Sequence, residues 1–150
     1  MIKPLAQYGA LPYRRTPNLE ILLVTSRDTG RWVIPKGWPM VRRTRRQTAA
    51  REAFEEAGVV GEIKRPALGA YDYWKFLKSG EGLPCRVTVF ALEVRRQRAR
   101  WPEQDQRAAQ WFSSEAAAEA VQEPDLANLI RVFAERLAEA REAEIRAPIG

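Results

Sequence analysis

GWPMVRRTRRQTAAREAFEEAGV, residues 37–59, is the stretch that decides the fold of this chain. Its second half predicts a helix from about Arg45 to Ala57. Thr44 and Gln47 stand at the spacing of a capping box, in which each side chain bonds the other residue's backbone amide at a helix start. Gly58 follows the last helical position, where glycine can adopt the left-handed backbone that ends a helix.

Three carboxylates lie close together on this predicted helix. At about 3.6 residues per turn, Glu52, Glu55 and Glu56 fall within one turn and share a face. Like charges at this spacing repel, and a hard divalent cation such as Mg²⁺ or Mn²⁺ would remove the repulsion. We therefore expect a metal site, with the acids pointing away from the core. The apolar face is expected at Ala50, Ala53, Phe54 and Ala57.

A simpler interpretation of the same face stays open. Charged helix faces are usually solvated, and Arg51 and Glu55 have the spacing of an ordinary surface ion pair. Glu55-Glu56 alone would favour the solvated face. The metal site is favoured because the flanking glycines and the Arg51-Glu52 pair occur at fixed intervals around that dipeptide.

The stretch resembles the Nudix box, a family pattern of a glycine, a glutamate, Arg-Glu, Glu-Glu and a final glycine at fixed intervals. The matching positions are Gly37, Arg51, Glu52, Ala53, Glu55, Glu56, Gly58 and Val59. The resemblance extends over about Tyr8 to Ile130. Trp111-Phe112 followed by Glu115-Ala116 is similar to the diphosphoinositol polyphosphate and diadenosine polyphosphate hydrolase branch.

This resemblance implies a fold and an activity. The fold would be an α/β/α sandwich around a mixed sheet, and the enzyme a pyrophosphohydrolase that uses Mg²⁺ or Mn²⁺. Glu52, Glu55 and Glu56 would be the metal ligands. Arg51 would hold a glutamate in its productive rotamer, and Gly37 would let the backbone approach the site. Water would attack phosphorus in a nucleoside diphosphate derivative, a dinucleoside polyphosphate or a diphosphoinositol polyphosphate.

One position of the pattern departs from the family. Arg43 stands where the family keeps its first glutamate. Two outcomes are open: the metal site is complete without that acid, or the enzyme is weakened or altered in its substrates.

The group that accepts a proton from water is not fixed by the sequence. The chain has no histidine, so a carboxylate must serve if a base is needed. The acids of the box could do so, and Glu103 and Asp105 are further candidates. The lack of histidine also argues against histidine-assisted serine or cysteine nucleophiles.

Basic residues outside the box are candidates for contact with substrate phosphates. Lys36 immediately precedes the box. Arg86 and Arg107 align with basic positions of the polyphosphate-cleaving branch, which the resemblance implies to be substrate-binding.

The net charge of +6 favours an anionic partner without deciding between a small polyphosphate or nucleotide and a nucleic acid. Two arginine clusters are simple solvated faces or parts of a binding surface. One is Arg42, Arg43, Arg45 and Arg46, and the other is Arg95, Arg96, Arg98 and Arg100. Removal of pyrophosphate from RNA 5′ ends, and a catalytically weakened module that binds nucleotide or RNA, are therefore alternative functions. Oligomeric state is not determined by any pattern.

Hydrophobic periodicity predicts mixed α/β organisation around the box. Strands are expected at about 7–13, 20–26, 67–76, 86–94 and 109–112. Helices are expected from Ser114 and from Asp125 to about Glu144, the latter with a core-facing stripe of Leu126, Leu129, Ile130, Phe133 and Leu137.

The length suits one domain over residues 1–150, with a core from about 7 to 140. Cys85 cannot form an internal disulfide because it is the single cysteine, and we expect it buried in a strand. No apolar run approaches the roughly 20 residues of a membrane span, and Met1-Ile2-Lys3-Pro4 does not resemble a signal peptide. A cytoplasmic protein without membrane contact is therefore expected.

Overall fold

A mixed sheet of eight strands carries three helices in the computed structural model, which describes residues 3–147. The strands are β1 Leu5–Arg15, β2 Leu19–Thr25, β3 Trp32–Val33, β4 Lys36–Gly37, β5 Val59–Ile63, β6 Gly69–Phe76, β7 Gly82–Gln97 and β8 Ala109–Ser113. The helices are α1 Arg45–Ala57, α2 Ser114–Ala120 and α3 Pro124–Arg146.

The centre of the sheet is the parallel pair of β1 and β7. Their register runs from Leu5 opposite Cys85 to Tyr13 opposite Glu93. The order β3-β2-β1-β7-β5 continues outward through antiparallel pairs, with β4 on β1, β6 on β7 and β8 on β2. Parallel strands need a long connection, and α1 lies within the one that joins β1 to β7.

Helices cover both faces of the sheet. On one face, Ala53 and Ala57 of α1 pack in a cluster with Phe90 and Leu92 of β7. On the other, α2 and α3 pack against side chains such as Leu11 and Val87. This arrangement confirms the α/β/α sandwich. Cys85 is fully buried in β7, as predicted.

The predicted core stripe of α3 is confirmed. Leu126, Ile130 and Phe133 are buried, and Leu129 and Leu137 pack against the same cluster while remaining partly exposed. Within residues 3–147, no helix combines the length and the apolar character needed to traverse a bilayer.

Helix α1 begins and ends where the sequence predicts. Thr44 accepts a bond from the Gln47 amide at 3.1 Å, and Gln47 Oε1 accepts one from the Thr44 amide at 2.9 Å. Gly58 closes the helix at φ 73°, and a Cβ there would also collide with the ring of Trp101. Glycine is therefore required both by backbone conformation and by packing.

The core-facing side of α1 differs from the prediction. Its buried residues are Thr48, Ala49, Ala53, Glu56 and Ala57, whereas Ala50 and Phe54 are partly exposed. Small side chains at i, i+4 and i+8 let the helix lie close to the sheet, so the bulky Phe54 is displaced to the flank.

Strand β5 was not predicted, and β7 is longer than expected. β5 is short and interrupted by Gly61, so its own sequence carries little strand signal. It forms because it pairs with the long β7, with a register shift between Val60 and Gly61. A Cβ on Gly61 would collide with the Glu93 carbonyl, so the bulge needs glycine.

Candidate active site

A polar pocket of about 270 Å³ gathers side chains from α1, β4, β6 and the loop between β7 and β8. We call it the acidic pocket. Its lining residues are Gln7, Ser26, Arg27, Asp28, Lys36, Gly37, Trp38, Glu52, Glu55, Glu56, Tyr73, Lys75, Glu103 and Arg107.

Glu52 and Glu56 form a carboxyl pair in this pocket. They are successive on one face of α1, and each perturbs the titration of the other. Burial, followed by the hydrogen bond and the negative charge of Glu56, raises the pKa of Glu52 to about 8. Ionising both acids at once is unfavourable unless a positive charge lies between or beside them.

Glu56 is buried, contrary to the expectation that all three acids point away from the core. It is only 4% exposed and forms the floor of the acidic pocket. Burial raises the pKa of its carboxyl, while the nearby charges of Arg107 and Lys36 oppose that rise. Arg107 Nε lies 3.8 Å from Glu56 Oε1, and this cation explains how a carboxyl group can be accommodated so deeply.

Gly37 of β4 lies against the Glu52 carboxylate. A Cβ at this position would overlap the Glu52 carboxylate oxygens, so any other residue would push the acid out of place. The Gly37 backbone therefore lies close to Glu52, one of the predicted metal ligands.

Arg51 lies outside the lining of the acidic pocket but contacts one of its acids. Its Nε lies 2.9 Å from Glu55 Oε1, in the i, i+4 pair that the simpler interpretation of the helix face predicts. The Arg51 guanidinium also lies 5.1 Å from the centre of the Phe54 ring. Arg51 thus fixes the Glu55 side chain at the rim of the pocket.

The loop between β7 and β8 adds Glu103 to the acids of the box. Glu103 lines the acidic pocket and accepts a bond from Arg107 Nε at 2.8 Å, and its amide donates to the Glu55 carbonyl at 2.9 Å. Arg107 also donates to the Thr25 carbonyl at 3.1 Å. Asp105 is exposed and does not line the pocket.

The structure places the three candidate phosphate contacts differently. Lys36 lines the acidic pocket 5.0 Å from the Tyr73 ring centre, and burial lowers the pKa of its ammonium group. Arg107 lines the pocket as well. Arg86 does not, because it forms a two-pronged ion pair with Asp72, at 2.8 and 3.0 Å, on the exposed surface of β6 and β7.

Two residues of the pocket, Gln7 and Tyr73, were not predicted from the sequence. The Tyr73 hydroxyl donates to Gln7 Oε1 at 2.6 Å, and Gln7 is a buried amide on β1. A buried polar residue inside an otherwise apolar strand was the available signal, because such residues need a specific partner.

A second cleft of about 580 Å³ adjoins the acidic pocket and shares Ser26, Asp28, Lys36, Tyr73 and Lys75 with it. We call it the aromatic cleft. Trp74 and Phe76 line it and are 60% and 64% exposed. Glu123 also lines it: Oε2 accepts from Arg31 at 3.1 Å, while the buried Oε1 has no hydrogen-bond partner among the described residues.

The acidic pocket suits a hard divalent cation by the chemistry of its donors. Glu52, Glu55, Glu56 and Glu103 supply only carboxylate oxygens, which Mg²⁺ and Mn²⁺ prefer. Within residues 3–147 no three acidic or cysteine side chains already surround a common point. Binding would therefore require these side chains to close around the ion, and the repulsion between Glu52 and Glu56 would be relieved as they did so.

Comparison with known proteins gives a consistent result. The family model described as NUDIX domain matches residues 6–133. Nudix hydrolase 13, mitochondrial, of Arabidopsis thaliana is 32% identical over 149 residues, covering 85% of this chain and 74% of that protein. Diphosphoinositol polyphosphate phosphohydrolase 3-alpha of Mus musculus is 32% identical over 117 residues, covering 76% and 67%.

Among solved structures, the crystal structure of a C. elegans Ap4A hydrolase binary complex matches with a TM-score of 0.67 and 22% identity. The match covers 90% of this chain and 98% of that chain. At this identity the similarity establishes the fold alone. Together with the family match, it confirms the resemblance that residues 37–59 suggested.

Proposed function

The chain belongs to the Nudix family of hydrolases, and from that premise we propose that it uses Mg²⁺ or Mn²⁺ to cleave a diphosphate linkage in a nucleotide substrate. Hydrolysis of a pyrophosphate bond is the activity of its family. The dependence on a divalent ion and the nucleotide nature of the substrate are the proposed parts.

The observation that carries the proposal is the Glu52–Glu56 pair beside Lys36 and Arg107. The carboxyls lie at the floor of a polar pocket, and the pKa of Glu52 is raised to about 8 by burial and by Glu56. A bound cation stabilises the ionised form of such a buried carboxyl pair. The two neighbouring basic groups supply further positive charge for the diphosphate oxygens.

The chain's own residues divide the remaining chemistry. A bound divalent ion supplies positive charge where negative charge spreads during phosphoryl substitution. Lys36 and Arg107 lie where they can contact non-reacting phosphate oxygens. Arg107 also orients Glu103. The proton released by attacking water must pass to a carboxylate, and the acids that line the pocket are Asp28, Glu52, Glu55, Glu56 and Glu103.

The aromatic cleft supports a nucleoside as the group attached to the diphosphate. The names of the relatives point to two kinds of substrate, diphosphoinositol polyphosphate and Ap4A. Trp74 and Phe76 offer exposed ring faces on which a base can stack, worth about 1–3 kcal/mol per base. Glu123 lines the same cleft and adds a carboxylate, which can accept a hydrogen bond from an N–H or O–H group of a ligand.

A substrate panel tests this proposal. With Mg²⁺ or Mn²⁺, the protein should release nucleoside monophosphate from a dinucleoside polyphosphate or a nucleotide sugar faster than phosphate from a diphosphoinositol polyphosphate. Trp74→Leu should raise KM for the nucleotide substrates and leave the diphosphoinositol rate unchanged. Leu77→Ala, at another exposed apolar residue, serves as the control.

Two results would overturn the proposal. If the nucleotide substrates are still turned over in excess chelator, hydrolysis does not need a divalent ion. If the protein prefers the diphosphoinositol substrate and Trp74→Leu does not change that preference, the substrate is not recognised through a nucleoside.

A further inference from the structure

A basic groove of about 610 Å³ lies on a different flank of α1 from the acidic pocket. It is lined by Arg42, Arg43, Gln47, Phe54, Val60 and Arg98, among others. Gln47 and Phe54 occupy the helical stripe that faces it, whereas Glu52, Glu55 and Glu56 face the pocket. The two sites meet at the Arg51–Glu55 ion pair, because Arg51 lines the groove and Glu55 lines the pocket.

Three of the four arginines that line this groove have no acidic partner within residues 3–147. Arg42, Arg43 and Arg98 are exposed, and none of them forms a salt bridge among the described residues. No acidic residue lines the groove, and the first turn of α1 has none either. The helix amide end therefore adds positive potential to that of the arginines.

Another arginine-lined surface of the molecule contains acids among its arginines. The depression lined by Arg14, Arg95 and Arg141 also contains Glu93 and Glu144, so its charges are interleaved. An ordinary solvated charged face has that mixed character. The basic groove does not.

The backbone at the groove is unusual. Arg42 has φ 64°, in the left-handed region that residues other than glycine, asparagine and aspartate seldom occupy. Arg42 and Arg43 both line the groove. The departure from the family pattern at Arg43 therefore places a cation in the groove, because that side chain does not line the acidic pocket.

An aromatic side chain lies among these arginines. Phe54 is partly exposed in the groove, although it was expected in the core, and Val60 continues the apolar surface beside it. Proteins that bind single-stranded nucleic acid combine these two features. Basic side chains neutralise the phosphates, and an aromatic ring stacks against a base.

We infer that the basic groove binds a single-stranded polynucleotide, with phosphates on Arg42, Arg43 and Arg98 and a base stacked on Phe54. This inference goes beyond the proposed hydrolysis and does not depend on it. Inorganic polyphosphate would satisfy the arginines but not Phe54. A double helix would keep its bases stacked inside and unavailable to the ring.

Fluorescence anisotropy of labelled oligonucleotides of about ten nucleotides tests the inference. RNA and DNA strands without a 5′ phosphate are titrated in chelator, so that neither a divalent ion nor a terminal diphosphate contributes. Comparing the two strands shows which sugar the groove prefers. Double-stranded DNA and inorganic polyphosphate of matched charge are the comparison ligands.

Arg43→Gln/Arg98→Gln is the main variant, and Arg136→Gln/Arg141→Gln removes the same charge from exposed positions on α3. The groove variant should weaken binding at least tenfold and flatten the log–log salt dependence by about 1.4, because each neutralised phosphate contributes about 0.7 to that slope. The α3 variant should change affinity less than threefold. Turnover of a small nucleotide substrate should be unchanged in both.

Phe54→Leu isolates the stacking contact, because it keeps an apolar side chain. It should weaken oligonucleotide binding about tenfold and leave polyphosphate binding unaltered. Glu56→Gln should bind the oligonucleotide like the wild type, so that a failure of the proposed hydrolysis is distinguishable from a failure here. Equal losses in the two arginine variants, or polyphosphate binding as tight as that of the single strands, would overturn the inference.

Discussion

Glu56 combines two demands that usually conflict. It is buried beneath the acidic pocket, and it must remain polar for the proposed chemistry. Arg107 and Lys36 make this possible by placing positive charge beside a carboxyl that would otherwise be costly to bury. The position therefore serves the site and constrains the core at the same time.

Replacing Glu56 with glutamine should separate these two roles. Glu56→Gln keeps the shape of the side chain but loses a negatively charged ligand for the cation, so turnover should fall about 100-fold or more. The unfolding free energy should change by less than about 1–2 kcal/mol, since the cost of burying a charged carboxyl and its attraction to Arg107 and Lys36 disappear together. Urea unfolding and steady-state kinetics measure the two quantities. Glu119→Gln, at an exposed position of α2, is the matched control. Undiminished turnover at saturating Mg²⁺ would contradict the role of Glu56.

At the level of elements, the C-terminal end of α1 joins the helix to the loop that carries Glu103. Gly58 ends the helix, Trp101 packs on Gly58, and the Glu103 amide bonds the Glu55 carbonyl. The loop acid is thus positioned by contacts with the helix end, not by the sequence around it.

Gly58→Ala tests this connection, with Gly30→Ala as a matched control. Both glycines have nearly the same backbone angle, φ 73° and φ 72°, but only Gly58 faces a neighbour that a Cβ would strike. Gly30→Ala should cost about 1–2 kcal/mol from backbone strain alone. Gly58→Ala should cost more and should also lower turnover, because Trp101 and with it Glu103 must shift. Equal effects on stability and activity in the two variants would show that the Trp101 contact is unimportant.

Over the whole molecule, α1 contributes to two neighbouring surfaces. Its acids line the acidic pocket, and Gln47, Arg51 and Phe54 on another flank line the basic groove. The aromatic cleft continues from the acidic pocket to the start of α3 without a lining residue from α1. The sheet keeps these surfaces in place because β1 and β7 anchor the strands that flank α1.

The global stability of the ion-free protein should depend on pH through Glu52. Its pKa is about 8 in the folded state against a usual 4.5, so the folded state holds this proton more tightly. The contribution is complete below about 4.5 and is lost as pH rises through about 8. The measurement is the unfolding free energy of the wild type minus that of Glu52→Gln, both in chelator. This difference should fall between about pH 5 and about pH 9. Mg²⁺ should reduce that fall, and a difference that does not vary with pH would refute the assignment.

The sequence alone determined helix α1, its capping box, its terminal glycine and the grouping of three acids. These features depend on hydrogen bonds and side-chain contacts between residues three or four apart, so a short window contains all of the physics. The α3 stripe was predictable for the same reason. The family resemblance supplied the fold and the class of reaction.

Only the tertiary structure decided which distant residues meet those acids. Glu103, Arg107 and Tyr73 reach the acidic pocket, whereas Arg86 is held by Asp72 and Asp105 stays in solvent. It also buried Glu56 and moved Phe54 to the groove, because the helix packs through its smallest side chains. These outcomes depend on strand pairings between residues far apart in the chain, and no local pattern encodes the free energy of such pairings.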